Sequence, residues 1–150
     1  MRGEVSPQLL RAVYEHAASA YPRECCGLLL GPRGAPPDEA RPCVNASDDA
    51  GRAFRLSADD LLALAASLDG PRPARVLYHS HVEAPACLSP EDEREALLGG
   101  DRPAWPLLHL VIEVRAGIAR GARLHEWDPV QARFREIGRH ETGAGAAPAL

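Results

Sequence analysis

His79 and His81 flank Ser80 at the end of the apolar run Val76-Leu77-Tyr78. On a strand, side chains two apart point to the same face, so both imidazoles can address one metal ion. Eight residues after His81 comes Ser89-Pro90-Glu91-Asp92, which starts a helix with Ser89 as N-cap and Pro90 at the first helical position. A first-turn carboxylate there, Asp92, is held at a fixed angle near the strand end that carries the histidines. Two histidines and one carboxylate, with no fourth protein ligand, form the donor set of a catalytic zinc site that keeps a position open for water. The competing reading is structural, because histidines on strands are often core residues and Ser-Pro-Glu-Asp is complete as a helix start.

The other motifs of metal and hydrolase chemistry are absent. His81-Val82-Glu83 has the H-x-E of the zinc deaminases, but no P-C-x-x-C follows it. Neither H-E-x-x-H nor a Gly-x-Ser-x-Gly elbow occurs. His16, His109, His125 and His140 lack ligand spacing and read as surface or core residues. All 17 basic side chains are arginine, which excludes a Schiff-base lysine and a P-loop.

The elements that would position these residues are of mixed type. Ser6-Pro7 opens an amphipathic helix over 7–20, with Leu9, Leu10, Val13, Ala17 and Ala20 at helical spacing. Pro22 ends it. Residues 25–30 read as a buried strand, and 31–39 as a Pro/Gly-rich loop. Strands are expected at 41–45 and 53–56, with a turn at 47–51 between them. Ser57 and Asp60 suggest a capping box for a helix through Leu68, with Gly70 at its C′ stop. A strand at 75–79 carries the first histidine, and the third helix runs from Pro90 to about Leu98. Further strands are expected at 107–114, 118–127 and 132–137, with a turn at Asp128-Pro129. This order predicts a mixed α/β fold with the site at the edge of a central sheet. The boundaries read as one domain over 1–141 and a small-residue, disordered tail over 142–150.

At 150 residues and 45% hydrophobic composition, the chain has enough apolar surface for one core. No run approaches the length needed to cross a membrane, and the N-terminus lacks the pattern of a signal peptide. The net charge of −4 argues against nucleic acid as partner. Cys25, Cys26, Cys43 and Cys87 form no C-x-x-C, so reduced thiols in a cytoplasmic protein are expected.

The arrangement His79-Ser80-His81, seven residues, Ser89, two residues, Asp92 resembles the signature of the JAMM (MPN-plus) zinc metallopeptidases. A second segment, Pro22-Arg23-Glu24-Cys25-Cys26-Gly27-Leu28-Leu29, is similar to the family's upstream Pro-x-Glu-x-Cys-Gly-Leu-Leu segment. Asn45 and the stretch 54–62 also sit where short bacterial members carry similar residues. The resemblance spans about Val5 to Arg115 and implies a cytidine-deaminase-like JAMM fold, a mixed sheet flanked by helices. It implies that His79, His81 and Asp92 bind one zinc with water as fourth ligand. Glu24 is then the general base that assists attack of that water, and Ser89 helps hold the carbonyl oxygen. Without the resemblance, Glu24 is one acid among many.

The function implied is hydrolysis of a peptide or isopeptide bond. Short stand-alone members resemble enzymes that trim the C-terminus of ubiquitin-like sulfur-carrier proteins down to a diglycine end. Two alternatives remain: a non-catalytic MPN-type scaffold, in which zinc ligands have been lost, and a zinc hydrolase of a small amide. Two departures stand out. Val82 replaces the proline that often follows the second histidine, and Cys87 lies in the same loop, as a packing thiol or an extra, inhibitory metal ligand.

Overall fold

A computed structural model of the chain describes residues 5–142. The eight residues that follow, most of the expected tail, lie outside them. Thr142 itself is tied down: its backbone N–H and its hydroxyl both bond to the Arg120 carbonyl.

The elements in order are α1 (Pro7–Ala20), β1 (Cys26–Leu30), β2 (Glu39–Cys43), α2 (Ala58–Leu68), β3 (Ala74–Val82), α3 (Pro90–Leu97), β4 (Leu108–Arg115), β5 (Ile118–Asp128) and β6 (Arg133–Glu141). The strands form one sheet in the order β2-β1-β3-β4-β5-β6. Only β3 and β4 run parallel, joined through α3; every other neighbouring pair is antiparallel. The mixed α/β architecture is therefore the one expected. Among the described residues no helix is long and apolar enough to cross a membrane.

Strand alternation divides the sheet into two buried faces. Leu29, Val76, Tyr78, Leu110, Ile112 and Leu124 point to one side, where Leu9, Val13 and Ala17 of α1 cover them. Ser6 starts that helix by accepting the Leu9 N–H at 3.2 Å. Cys26, Leu28, Leu77 and Leu107 point to the other side and pack with Leu64 of α2 and with Leu56. Both faces being covered explains why β1 reads as an unbroken apolar run.

One close approach fixes the middle of the sheet. Gly27 lies opposite Tyr78, and a Cβ on it would come within 2.3 Å of the phenol ring. The ring is buried, and its hydroxyl is hydrogen-bonded to His16 Nδ1 at 2.7 Å, so it has no room to swing away. Gly27→Ala is expected to destabilise the fold by about 1–3 kcal/mol in chemical denaturation, by overpacking.

Several sequence expectations need correction. The site does not lie at the sheet's edge, because β3 is an interior strand between β1 and β4. The strand expected at 41–45 is shifted to Glu39–Cys43 by its antiparallel register with β1. Residues 53–56 form no strand; they contribute a single bridge, Asn45 with Leu56. Their backbone is served by the Ala46 N–H, which donates to Arg55 O at 2.8 Å, and by the Asn45 side chain, whose Nδ2 donates to Ala53 O at 3.0 Å and whose Oδ1 accepts from Arg55 N at 3.2 Å. Ser57 caps α2, but Asp60 does not complete the box. Its carboxylate accepts from Val44 N at 3.0 Å and from the Ser57 hydroxyl at 3.0 Å. Gly70 does occupy the C′ position after the Asp69 cap, as expected, but without the left-handed conformation.

Candidate metal centre

β3 runs three residues beyond the first histidine, paired in parallel with β4 as far as Val82 opposite Val114. His79 and His81 thus lie on one face, as the period of two requires; His79 is fully buried and His81 nearly so. Phe54 stacks on the His79 ring with centroids 4.3 Å apart. The N-terminus of α3 forms a complete capping box: the Ser89 Oγ accepts Asp92 N–H, and Asp92 Oδ2 accepts Ser89 N–H, each at 3.0 Å. That same Oδ2 faces His79 Nε2 at 3.3 Å and His81 Nε2 at 3.0 Å, and the two Nε2 atoms are 3.2 Å apart.

Hydrogen bonding determines what these three atoms offer. His81 Nδ1 lies 2.8 Å from the Pro85 carbonyl, which can only accept, so Nδ1 carries the hydrogen and Nε2 of the neutral ring presents a lone pair. That lone pair meets a carboxylate oxygen and a second imidazole nitrogen. Two neutral rings and a carboxylate converging this closely repel unless a proton or a cation lies between them. In the metal-free protein the proton goes to His81: burial lowers its pKa, but the Asp92 hydrogen bond and the Pro85 carbonyl raise it further. Burial keeps His79 neutral, lowering its pKa against the pull of Asp92. Burial also opposes the charge on Asp92, yet the two histidines hold its carboxyl well below the usual range. A divalent cation answers the same conflict. Bonds of about 2.05 Å at a tetrahedral centre place ligand atoms roughly 3.3 Å apart, close to the triangle seen here. The donor set therefore fits a metal, and among the described residues it is the one cluster of three such ligands close enough together to hold one.

Glu24 lies just before β1 and is 6% exposed. Its Oε1 is buried without a hydrogen-bond partner. Burial raises its pKa to about 7; His81 pulls it down and Asp92 pushes it up. Its backbone is held from three directions. Glu24 N donates to Ala50 O at 2.6 Å, and Asn45 Nδ2 donates to Glu24 O at 2.9 Å. The next N–H, of Cys25, donates to Ser80 Oγ at 2.8 Å, and Ser80 N donates back to Cys25 O at 3.1 Å. The serine between the two histidines thus ties them to the segment that carries Glu24. Glu24, His81, Ser89 and Asp92 line one cleft of about 540 Å³, together with Arg52, Phe54, Glu91 and Glu95.

The structure brings together all five residues that the sequence singled out. Sequence reasoning gave no role to Asn45, Phe54, Ser80 or the Pro85 carbonyl. Asn45 carried a signal: its Oδ1 accepts Ser47 N–H, the two-residue Asx turn that Asn favours. Cys87 is exposed in the same cleft and accepts a hydrogen bond from Arg123 Nη1 at 3.1 Å. His109 and His125 are buried on the histidine-bearing face of the sheet, and burial pushes His109 down to about 3, so it stays neutral.

Many solved structures share this fold, and three of them illustrate the likeness. A protein of Desulfitobacterium hafniense aligns at TM-score 0.68 with 22% identity, over 88% of this chain and 87% of that one. A protein of Salinibacter ruber aligns at 0.63 with 27% identity, over 94% and 92%. A JAB1/MPN domain protein of Archaeoglobus fulgidus aligns at 0.52 with 18% identity, over 87% and 90%. No curated protein matches the sequence. The family described as prokaryotic homologs of the JAB domain matches residues 6–129, most of the chain and the whole of the site. The chain belongs to that family.

Proposed function

We propose that this chain is a zinc-dependent hydrolase of a peptide or isopeptide bond, acting in the cytoplasm on the C-terminus of a ubiquitin-like or sulfur-carrier protein. The observation that carries the reading is the Glu24 carboxylate, buried with one oxygen unpartnered in the cleft where three metal-ligand atoms converge. A scaffold has no use for such a group, because burying an unpaired carboxylate costs stability. The JAB domain family includes metallopeptidases, which supports hydrolysis as the chemistry.

His79, His81 and Asp92 would hold the ion, and a mixed nitrogen and oxygen donor set suits zinc. When bound, zinc supplies a Lewis acid that polarises the substrate carbonyl and lowers the pKa of water to about 7. Glu24 removes a proton from the attacking water and returns it to the leaving amine. A carboxylate that titrates near neutrality can do both. Ser89 Oγ already accepts Asp92 N–H, which leaves its own proton free to donate to the carbonyl oxygen as negative charge develops there. The sequence leaves no obvious room for long insertions, which suits a small carrier protein better than a branched polymer.

Elemental analysis of untagged protein should give near one zinc per chain. The metal-loaded protein should cut a carrier domain extended beyond its Gly-Gly end. Failure to take up zinc after dialysis against the metal would sink the reading, and so would a loaded protein inert on every such carrier.

A further inference from the structure

The loop that brings the Pro85 carbonyl to His81 starts on an unusual residue. Glu83 follows the end of β3 with a φ of 56°, a left-handed conformation that a residue with a Cβ rarely takes unaided. Three hydrogen bonds hold it there. Its N–H donates to Val114 O at 2.8 Å, and its Oε2 accepts the Tyr21 hydroxyl and the Ala116 N–H, each at 2.7 Å. One carboxylate oxygen therefore joins three segments: the residue that caps α1, the start of the loop, and the turn between β4 and β5. In that turn Ala116 and Gly117 both have positive φ and link the paired residues Arg115 and Ile118, so the Ala116 N–H lies outside the ladder and is free for a side-chain acceptor. The Tyr21 ring lies beside the same turn, where a Cβ on Gly117 would stand 3.7 Å from it.

From Glu83 to the Pro85 carbonyl the chain has little freedom. Proline locks its own φ, and it confines Ala84 before it to extended angles. The torsions of Glu83 are thus the main ones left to decide where that carbonyl points. It points at His81 Nδ1, 2.8 Å away, and so fixes the tautomer and the ring orientation that turn Nε2 towards Asp92. Glu83 itself is exposed, where hydrogen bonds to a charged group add little to stability. A residue held in a sparsely populated conformation with so little gain for the fold is explained by what it orients.

We infer that Glu83 is a positioning residue for the metal centre: by gripping the Tyr21 hydroxyl and the Ala116 N–H, its carboxylate sets the course of the loop that holds the Pro85 carbonyl on His81. This rests on the metal-binding reading above and adds to it a residue outside the ligand set.

The test pairs zinc affinity, from competition with a chelating dye, with NMR of the His81 Nδ1 proton in the metal-free full chain. Glu83→Ala should lower zinc affinity by about 10-fold or more, the lower end of the loss when a ligand's outer-shell partner is removed. Its Nδ1 proton should exchange faster with water and broaden, while stability in urea changes little. Glu83→Gln keeps an acceptor oxygen and should restore both readouts. Glu83→Gly admits the left-handed backbone without strain but has no acceptor, so it should behave like Glu83→Ala. Tyr21→Phe leaves the loop's own sequence untouched and should show part of the same loss; it decides the matter if Glu83→Ala does not fold. Wild-type affinity with an unaltered Nδ1 proton in Glu83→Ala would overturn the inference and leave the metal centre intact. So would a Glu83→Gly protein that matches wild type, or a loss of affinity with the Nδ1 proton unchanged. Wild-type protein that binds no zinc would sink the metal reading and take this inference with it.

Discussion

Glu24→Gln is expected to lower hydrolysis by about 10²–10⁴-fold while zinc stoichiometry stays near one per chain. The amide keeps the volume and one hydrogen-bonding oxygen but cannot take a proton, so the loss should fall on kcat. A second effect should accompany it in the metal-free protein. Burial raises the Glu24 pKa from 4.5 to about 7, so the folded state binds a proton more tightly than the unfolded chain does. Below about pH 4.5 the group is neutral in both states and costs nothing. The cost grows as pH rises towards 7 and is constant above it, at about 1–3 kcal/mol. Metal-free Glu24→Gln should therefore be more stable than wild type in urea at pH 8, and the two should converge at pH 4.5. Unchanged turnover would remove Glu24 as the base; an unchanged stability gap between pH 8 and 4.5 would show that its carboxylate is hydrated.

Asp92 carries two duties on one oxygen, and substitution can separate them. Asp92→Asn can still accept Ser89 N–H and so keeps the start of α3, but it removes the anionic ligand. Zinc affinity should fall by more than about 100-fold, beyond the loss expected for an outer-shell partner, and the metal-free protein should lose stability at neutral pH, because the charged contacts with His79 and His81 go with the anion. Asp92→Ala should lose the zinc as well and a further 0.5–2 kcal/mol, roughly, from the lost cap. Competition with a chelating dye would measure the first effect and urea denaturation the second. Asp92→Asn with near-wild-type zinc affinity would exclude Asp92 as a ligand.

How much of this was legible in the sequence depended on how local the cause is. The shared face of His79 and His81 follows from strand alternation alone, and the start of α3 from Ser89-Pro90-Glu91-Asp92, so both could be read from a few neighbouring residues. The junction of the two could not, since it depends on the loop between them and on the His81 contact with the Pro85 carbonyl. Glu24 is 55 residues before His79 and became legible only through the resemblance of its segment to a family. Residues 53–56 were misread because Ala-Phe-Arg-Leu alternates like a strand. In the fold, Phe54 turns onto His79, and the Asn45 side chain and the Ala46 N–H serve the backbone where a partner strand was expected. Likewise Asp60, three residues after Ser57, was read as a local cap, but it reaches Val44 across a loop. At 53–56 and at Asp60 the local pattern failed because a distant group meets the polar atoms, and at 41–45 it failed because register with β1 sets the strand's bounds.

The paired hydrogen bonds between residues 25 and 80 have a mechanical consequence. They join the segment that carries Glu24 to the strand that carries both histidines, deep in the sheet and away from the loop over residues 83–88. Changes in that loop that keep the Pro85 carbonyl on His81 Nδ1 can alter the width of the cleft without moving the histidine strand against the base segment. The loop positions other than Glu83 and Pro85 are therefore the place where substrate preference can drift, or be re-engineered, while the proton-transfer geometry stays as it is.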